Sequence, residues 1–464
     1  PTLKNNPYIR TFAKKKLNAT LFASGKLDKV NLEKLSARWG NSTRLAVSGS
    51  VKNPIDLDRV SWDINDFSFV SSEKDLNLFV HEDSLGIKFP NNLDLSIASS
   101  GSLDEFSLKS ILKAYEASVQ VNGEIASKEG TYLYDLKTTI AGLPLGEIMG
   151  DTINYGDLDM KLLVKGNTGP LDKLDFKMDS EEINLTYNGH NYKGLELDAE
   201  IIDGDGTFSL IHKDELLDLG LLATISLDTA NYKVGLDLDL NGADLYGLNF
   251  SAKKLRTQFS MNATFEGNSE NFELLSKLSD GTVVLEDQAY PMGELDLDLK
   301  VLPDSTDFNI QSNILVGQLS SNVSPGETYE GISRHFNRYF LDSTFQTLAN
   351  TERPVKMDFT IPSTLLLQQV ILPGLERMDD GSIQLDFDEK KSSLKGRINF
   401  PYISYAGAIV DSLDLNVESD SSNFTFDFGV LGLSSGPLVV GPTYFTGEVL
   451  ENLLYVNFNS RHET

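Results

Sequence analysis

The sequence of 464 residues lacks cysteine altogether and contains only two tryptophans and five histidines. The absence of thiols excludes disulfides, cysteine-ligated zinc or iron–sulfur clusters, and a cysteine nucleophile. Positive charge is scarce too, since 40 Lys and Arg stand against 68 Asp and Glu, and the net charge of −28 argues against nucleic acid as a partner. No run of 18 or more apolar residues occurs, so the sequence predicts no membrane-spanning helix.

The sequence does contain many short segments in which apolar and acidic residues alternate. Hydrophobic residues make up 40 % of the chain, which is enough to build a folded core. Residues 194–201 are GLELDAEI, residues 235–242 are GLDLDLNG and residues 293–300 are GELDLDLK. Because successive side chains of a strand point to opposite faces, each segment predicts a half-buried antiparallel strand with Leu on one face and Asp or Glu on the other.

The alternating segments recur every 10–16 residues or so, and this spacing permits a sandwich, a barrel or a long meander. The repeated one-sided pattern, without a compositional break, favours the meander. About 24 strands at about 4.8 Å would extend on the order of 115 Å, and such a sheet should curl around its apolar face. The predicted fold is therefore all-β, an elongated, curled antiparallel sheet (a β-taco) with a few amphipathic helices. Its tight turns are predicted at Asn188-Gly189, Asp203-Gly204-Asp205-Gly206, Asn241-Gly242 and Asp280-Gly281.

Helical spacing interrupts the strand pattern in three places. Residues 104–116 have loosely helical apolar spacing, and residues 328–349 place Ile332, Phe336, Tyr339 and Phe340 on one stripe. Residues 363–372 predict a helix capped by Ser363. The expected organisation is a β-groove tract over residues 1–325 with a short helix near 104–116, a helical insert over 326–379, and a continued β-groove tract over 380–464.

Motifs for catalysis and metal binding are weak. The histidines His81, His190, His212, His335 and His462 are scattered without metal-ligand spacing and are predicted to be surface or turn residues. Residues 203–214 begin like a calcium loop, but Phe208 and Asp214 stand where Gly and Glu are required, which favours a hairpin turn. The sequence predicts no catalytic residue, no metal site and no cofactor.

Residues 432–436 match the G-x-S-x-G nucleophile elbow, with Ser434 at its centre. That motif requires a strand before it and a helix after it. The following Pro437 and Pro442 are incompatible with a helix start, which favours a Gly/Ser loop between strands over a hydrolase site.

The recurring feature is the ladder of apolar side chains along one face. A single-layer sheet has no second layer to cover this face, so part of it should line an apolar groove. An acyl chain suits such a groove, because each buried CH₂ contributes about 0.8 kcal/mol. The predicted lining residues are Leu195, Leu197, Ala199, Ile201, Val234, Leu236, Leu238, Leu240, Leu295, Leu297, Leu299, Phe424, Phe426 and Phe428.

Residues 184–204, 221–250 and 280–320 resemble the central segment of the TamB family, the inner-membrane translocation and assembly subunits of the AsmA-like superfamily. The step formed by Asn191, Tyr192, Leu195, Leu197 and Ala199, and the later Leu-Asp-Leu-Asp-Leu segments, carry the resemblance. The resemblance implies a periplasmic β-groove that carries phospholipids or other diacyl lipids between inner and outer membranes, contributing to outer-membrane biogenesis, with no catalytic residues.

The family resemblance further implies an inner-membrane anchor outside this chain. It also implies a partner, an Omp85-type (TamA-like) outer-membrane barrel, which would dock through a C-terminal region not in this chain. Pro1 stands where an initiator Met would, as expected of a processed chain or an excised fragment.

Three alternatives to lipid transport follow from the same sequence. The first is a structural β-solenoid or scaffold with a sealed core, which would assist outer-membrane protein assembly or secretion. The second is an outer-membrane β-barrel, since alternating strands are typical of both. The third is a hydrolase that uses Ser434.

Overall fold

The computed structural model describes residues 11–26, 28–128, 130–228, 231–340, 353–450 and 453–460. Strands account for most of these residues, neighbouring strands pair antiparallel, and helices are few. The predicted all-β class and antiparallel pairing are therefore confirmed. The chain divides into two compact units, unit 1 with Pro1–Thr229 and Asp244–Ala252, and unit 2 with Ala230–Ala243 and Lys253–Thr464.

Unit 1 is a meander in which each strand from β1 to β10 pairs with the next. Strand β10 then pairs with both β11 and β12, and β12 to β14 continue the series. The strands are β1 Leu17–Lys26, β2 Lys29–Trp39, β3 Thr43–Lys52, β4 Ser61–Ser71, β5 Leu93–Ser102, β6 Glu105–Ala114, β7 Ala117–Lys128, β8 Thr131–Pro144, β9 Tyr155–Asn167, β10 Phe176–Tyr187, β11 His190–Lys193, β12 Glu196–Ile202, β13 Asp205–Lys213 and β14 Leu217–Leu227.

Unit 2 contains a second meander, whose order is β16 to β21, β23 to β26, β29 and β30. The short β22 pairs with β24, and the β27–β28 hairpin pairs with β25. The strands are β15 Tyr232–Asp244, β16 Leu255–Gly267, β17 Phe272–Leu285, β18 Gln288–Leu302, β19 Ser305–Gln311, β20 Val316–Ser321, β21 Pro354–Ile361, β22 Leu375–Met378, β23 Gly381–Asp388, β24 Ser393–Tyr405, β25 Ala408–Ser419, β26 Phe424–Val430, β27 Gly432–Ser435, β28 Leu438–Val440, β29 Thr443–Leu450 and β30 Leu453–Ser460.

Two of the four predicted tight turns are confirmed. Asn188-Gly189 joins β10 to β11, and Asp203-Gly204 joins β12 to β13. Both residues of each pair have φ between 50° and 81°. Positive φ at both central positions is the requirement of the type I′ hairpin turn, which matches the right-handed twist of paired strands.

The other two turn predictions are wrong, because both pairs lie inside strands. Asn241-Gly242 is part of β15, which continues to Asp244. Asp280-Gly281 is a β-bulge within β17, where the register to β18 shifts and Asp280 has φ 53°. Asn-Gly and Asp-Gly pairs tolerate positive φ, and a bulge uses that tolerance as readily as a turn does.

The helix predicted near residues 104–116 is wrong, because this segment is strand β6. Phe106, Leu108 and Leu112 share one face with Ser110, and β6 pairs with β5 on one side and β7 on the other. The apolar Ile111 on the opposite face obscures the alternation in the sequence. Pairing on both sides satisfies every backbone group, which outweighs a weak helical pattern.

Among the described residues, the α-helices of four or more residues are α1 Glu73–Leu76, α2 Glu82–Leu85, α3 Leu145–Met149 and α4 Pro325–Phe340. Short 3-10 helices lie at Leu57–Arg59 and Leu171–Lys173, and a π-helical segment lies at Leu366–Ile371. Ile332, Phe336 and Tyr339 of the predicted stripe all pack against the sheet, whereas the Phe340 side chain and residues 341–349 lie outside the described residues. Within the part of the chain described above, no helix is long and apolar enough to cross a membrane.

The predicted helical insert at residues 326–379 is only partly helical. Strands β21 and β22 lie within it and pair with β20, β23 and β24. Ser363 is also not the helix cap, since its hydroxyl donates to the carbonyl of Met378, while Thr364 Oγ1 accepts the backbone N–H of Leu367 at 3.3 Å.

Candidate functional site

The apolar face of unit 1 is continuous across its strands. Residues directly opposite in an antiparallel pair share a face, so the register traces the face from strand to strand. Leu197 of β12 lies opposite Leu210 of β13, which lies opposite Leu221 of β14. Ala199 lies opposite Met178 on one side and Phe208 on the other.

Unit 2 has an equivalent face. Leu297 of β18 lies opposite Ser276 and Ile310, and the row continues through Gly317 to Phe359 of β21. Further along the meander, pairs on the same face include Gly396 with Val417, Val417 with Phe426, Leu415 with Phe428, and Phe428 with Phe445. The alternation seen in single strands is therefore aligned by pairing into rows that run across the strands.

The predicted lining residues all lie on these strands except Leu195, which lies between β11 and β12 and donates its N–H to the carbonyl of Ile183. Ala199 and Phe424 are buried, and all the others are half-buried. The acidic neighbours point the opposite way and are exposed. Asp239, for example, accepts a hydrogen bond from Ser260 Oγ at 2.7 Å on the polar face. One face of the sheet is thus apolar and the other is polar. Most of the apolar side chains remain partly exposed, unlike those of a closed core.

Helix α4 covers one rim of this face in unit 2. Ile332 and Phe336 pack against the buried Val355, Phe387 and Leu394. The same helix contributes Tyr339 to a second cluster with Phe424 and Val449. Packing at strand ends by α4 excludes water from this rim.

Polar contacts hold α4 in place. Arg334 binds the carboxylate of Glu389 with two hydrogen bonds, of 2.8 and 3.1 Å, and Arg353 lies 3.8 Å from the same carboxylate. Arg338 donates to Ser392 Oγ at 2.5 Å. Glu389 and Ser392 are both buried in the turn between β23 and β24, so the helix is anchored to that turn.

The π-helical segment covers the opposite rim of the same face. Leu366 packs against Val283 and Tyr290, beside the turn that joins β17 to β18. Leu367 packs against Leu375 and Met378. Among the described residues, Leu297, Ile310 and Leu319 belong to none of the clusters built on α4 or on this segment. The middle of the face is therefore the part that the described helical residues do not pack against.

Two cavities border the apolar rows. In unit 2 a cavity of about 750 Å³ is lined mainly by polar-face residues, among them Lys277, Asp296 and Asp298, and also by Leu297 and Ile310. In unit 1 a cavity of about 560 Å³ is lined by Glu124, Lys165 and other charged residues together with Ile201. Both linings therefore combine charged residues of the polar face with residues of the apolar rows.

The structure also brings together three residues that the sequence separates. His190 of β11, His212 of β13 and Asp214 in the following turn place one ligand atom each within 4.8 Å of one another. His190 Nε2 donates to Asp214 Oδ2 at 2.8 Å. Burial alone would raise the pKa of Asp214, but hydrogen bonds from His190 and from the N–H groups of Leu216 and Leu217, together with the close approach of His212, hold this pKa well below its usual range.

The prediction that every histidine lies at the surface or in a turn is wrong for two of them. His212 and His335 are each 1 % exposed. His81 is exposed as expected, and His462 lies outside the described residues. The sequence held one signal for the cluster, since His212 and Asp214 are two residues apart at a strand end and so project to the same side. Nothing in the sequence indicated that His190 would join them.

The segment 432–436 does not have the geometry of a nucleophile elbow. Ser434 lies inside β27, and Gly436, with φ 55°, leads into β28. The described residues here form a strand–turn–strand hairpin, where the motif requires a strand–turn–helix.

Comparison with known proteins identifies no relative of this chain. No family model, no curated protein and no solved structure matches this chain. The resemblance to the TamB family therefore stays a prediction carried by the residues named above.

Proposed function

We propose that the apolar sheet face binds the acyl chains of phospholipids or other diacyl lipids, and that the protein carries such lipids between two membranes. The observation that supports this proposal is a continuous one-sided row of half-buried apolar side chains, such as Leu297, Ile310 and Phe359, which the described helices leave uncovered. An ordinary core would bury these side chains, and an ordinary surface would not align them in rows.

The dimensions of the rows suit a lipid tail. The hydrocarbon core of a bilayer is about 30 Å thick and holds two tails end to end, so one tail is about 15 Å long. Strands are about 4.8 Å apart, so one tail would span about three strand spacings. The row from Leu297 through Ile310 and Gly317 to Phe359 has that length. A full tail buried at about 0.8 kcal/mol per CH₂ would gain on the order of 10 kcal/mol.

The polar face supports the same function in a different way. Asp296 and Asp298 are exposed beside the half-buried Leu297. Like charges repeated on the outer face keep a sheet with an apolar lining soluble and oppose association between molecules. The headgroup of a bound lipid would stay in water at the edge of the face.

The cellular setting is part of the proposal. A carrier of diacyl lipids acts between membranes, and the resemblance to the TamB family suggests the periplasm, an inner-membrane anchor and an Omp85-type barrel as partner. Co-purification of the complete cellular protein with membrane fractions and with such a barrel would test this part separately.

Photo-crosslinking at matched positions tests lipid binding directly. Leu297 lies on the apolar face of β18, whereas Leu275 of the adjacent β17 lies on the polar face and is 42 % exposed. A photoreactive amino acid at position 297 should capture lipid from the expressing cells, and the same group at position 275 should not. Equal capture at both positions, or none at position 297, would contradict the proposal.

Charge substitutions at the same two sites give a second measurement. Leu297→Glu places a carboxylate where a tail would lie, so the lipid that co-purifies should fall more than tenfold. Leu275→Glu should leave it unchanged. Circular dichroism of both variants establishes that they are folded.

A sealed structural scaffold is the second candidate, and the packing of α4 favours it locally. Ile332, Phe336 and Tyr339 close one rim as a true core would. If the whole face is sealed, Leu297→Glu should unfold unit 2, and the wild-type protein should contain no lipid by mass spectrometry. A folded Leu297→Glu variant that has lost its lipid distinguishes the carrier from the scaffold.

A further inference from the structure

The cluster of His190, His212 and Asp214 in unit 1 has the composition of a metal site. Imidazole nitrogen and carboxylate oxygen are ligands of zinc and of other divalent transition metals. The three residues come from β11, β13 and the turn after β13, so one ion would join three segments.

The state of His212 is the observation that points to an ion. Its side chain is fully buried, and its Nε2 lies 3.0 Å from Asp214 Oδ2. The contact lies outside hydrogen-bonding geometry, and within the described chain neither ring nitrogen of His212 has a hydrogen-bond partner. Leaving buried polar atoms unpaired costs about 1–3 kcal/mol, so such atoms call for a partner that the polypeptide does not supply.

The distances suit a shared cation. His190 Nε2 is 2.8 Å and His212 Nε2 is 3.0 Å from the same oxygen of Asp214. Ligand atoms bound to zinc at about 2.0–2.2 Å in tetrahedral geometry lie about 3.3–3.6 Å apart. The two histidine–aspartate separations would therefore widen by about half an ångström when an ion binds, and the two histidine nitrogens already lie within 4.8 Å of each other.

Neighbouring groups fix the ligands and leave a free position. Asp214 Oδ1 accepts the backbone N–H groups of Leu216 and Leu217 at 2.7 and 2.8 Å, which orients the carboxylate. The Tyr192 ring packs edge-on against both imidazoles, with ring centroids 4.6 and 5.6 Å apart. The side chains of His190 and Asp214 are 19 % and 26 % exposed, so an ion can enter from solvent and keep water as its fourth ligand.

We propose that His190, His212 and Asp214 bind one divalent transition-metal ion, with Zn²⁺ as the ion to test. The site joins the β10–β11 hairpin to the turn between β13 and β14. Three protein ligands and one open position distinguish it from the closed four-ligand sites that serve structure alone.

The test uses the full chain, purified without a histidine tag and freed of metal by a chelator. Isothermal titration with Zn²⁺ should show one equivalent bound per chain, and Co²⁺ should give the visible absorption of a tetrahedral site. His190→Gln and Asp214→Asn should each weaken Zn²⁺ binding by more than tenfold, since loss of even an outer-shell partner typically costs about 10–100-fold. Asn keeps the oxygen that accepts Leu216 and Leu217. His81→Gln, at an exposed site, is the control and should bind as the wild type does.

Three results would overturn the proposal: no stoichiometric binding, affinity unchanged in both ligand variants, or an equal loss in His81→Gln. If the ligand variants fail to fold, X-ray absorption of the zinc-loaded wild type decides. Two imidazoles per zinc support the site, and any other ligand set contradicts it.

Discussion

Acidification should weaken the packing of α4 through His335, which is 1 % exposed beneath that helix. His335 Nε2 lies 2.7 Å from Ser419 Oγ, and its ring contacts those of Tyr339 and Phe387, with centroids 5.2 Å away in each case. Burial, with a smaller contribution from the nearby positive charge of Arg338, lowers the pKa of His335 from 6.5 to about 4, and Glu389 opposes this only in part.

The direction of the pH effect follows from these two pKa values. Above about pH 7 the imidazole is neutral in the folded and unfolded states, so His335 adds no pH dependence. Below pH 6.5 the unfolded chain takes up a proton that the folded chain does not, and stability falls until about pH 4. Relative to neutral pH, the titration of His335 shifts the folding equilibrium at pH 5 toward the unfolded state by a factor of about 30, which lowers the free energy of unfolding by about 2 kcal/mol.

Hydrogen–deuterium exchange of peptides from α4 measures this effect locally. Both tryptophans, Trp39 and Trp62, lie in unit 1, so tryptophan fluorescence does not report on unit 2. After correction for intrinsic exchange, protection of α4 should fall about 30-fold between pH 7.5 and pH 5. In His335→Gln, which cannot titrate, this fall should disappear. His81→Gln should retain it.

An equal loss of protection in the wild type and in His335→Gln would refute the reasoning. The carboxylates with lowered pKa values affect the measurement little, because their contribution begins to be lost only near pH 5, as pH falls toward their ordinary pKa values of 3.8 and 4.5.

Three further predictions concern stability and are measured by urea unfolding followed by circular dichroism. Glu389→Gln should cost about 2 kcal/mol, because it removes the charge-assisted hydrogen bonds between the buried Glu389 carboxylate and the partly exposed Arg334. Glu330→Gln, which removes the exposed partner of Arg334, should cost less than about 1 kcal/mol. Similar losses in both would contradict the assigned role of the buried Glu389. Gly101→Ala should destabilise the protein more than Gly86→Ala, although both glycines have positive φ. A Cβ at Gly101 would lie 2.2 Å from the carbonyl oxygen of Glu105, whereas a Cβ at Gly86 would meet nothing within 4 Å. Equal effects would contradict the contribution assigned to the contact with Glu105. Phe387→Ala should cost about 3–5 kcal/mol by opening a cavity under α4, and a loss below about 1 kcal/mol would mean that the rim is not packed as described.

Much of the candidate face could be predicted because its pattern is local. Leu236, Leu238 and Leu240 alternate with aspartates, and that alternation fixes which side chains share a face wherever the strand pairs. Leu195 was the exception among the predicted lining residues, since the chain passes between two strands there. The helices at 325–340 and 366–371 were indicated by their apolar spacing, but the rims that they cover depend on contacts between distant segments. The His190–His212–Asp214 cluster depends on such contacts too, and only the spacing of His212 and Asp214 hinted at it.

The sequence by itself determined the all-β class, the one-sided faces and the type I′ turns at Asn188-Gly189 and Asp203-Gly204, because alternation and positive φ are properties of a few consecutive residues. Only the tertiary structure decided that residues 104–116 are strand β6 and that Asp280 is a bulge, because neighbouring strands supply the backbone partners that choose between alternatives. The same holds for His335, whose pKa is set by the aromatic rings and the arginine that packing places around it. Backbone pairing and burial are collective, so they override weak local preferences wherever the two disagree.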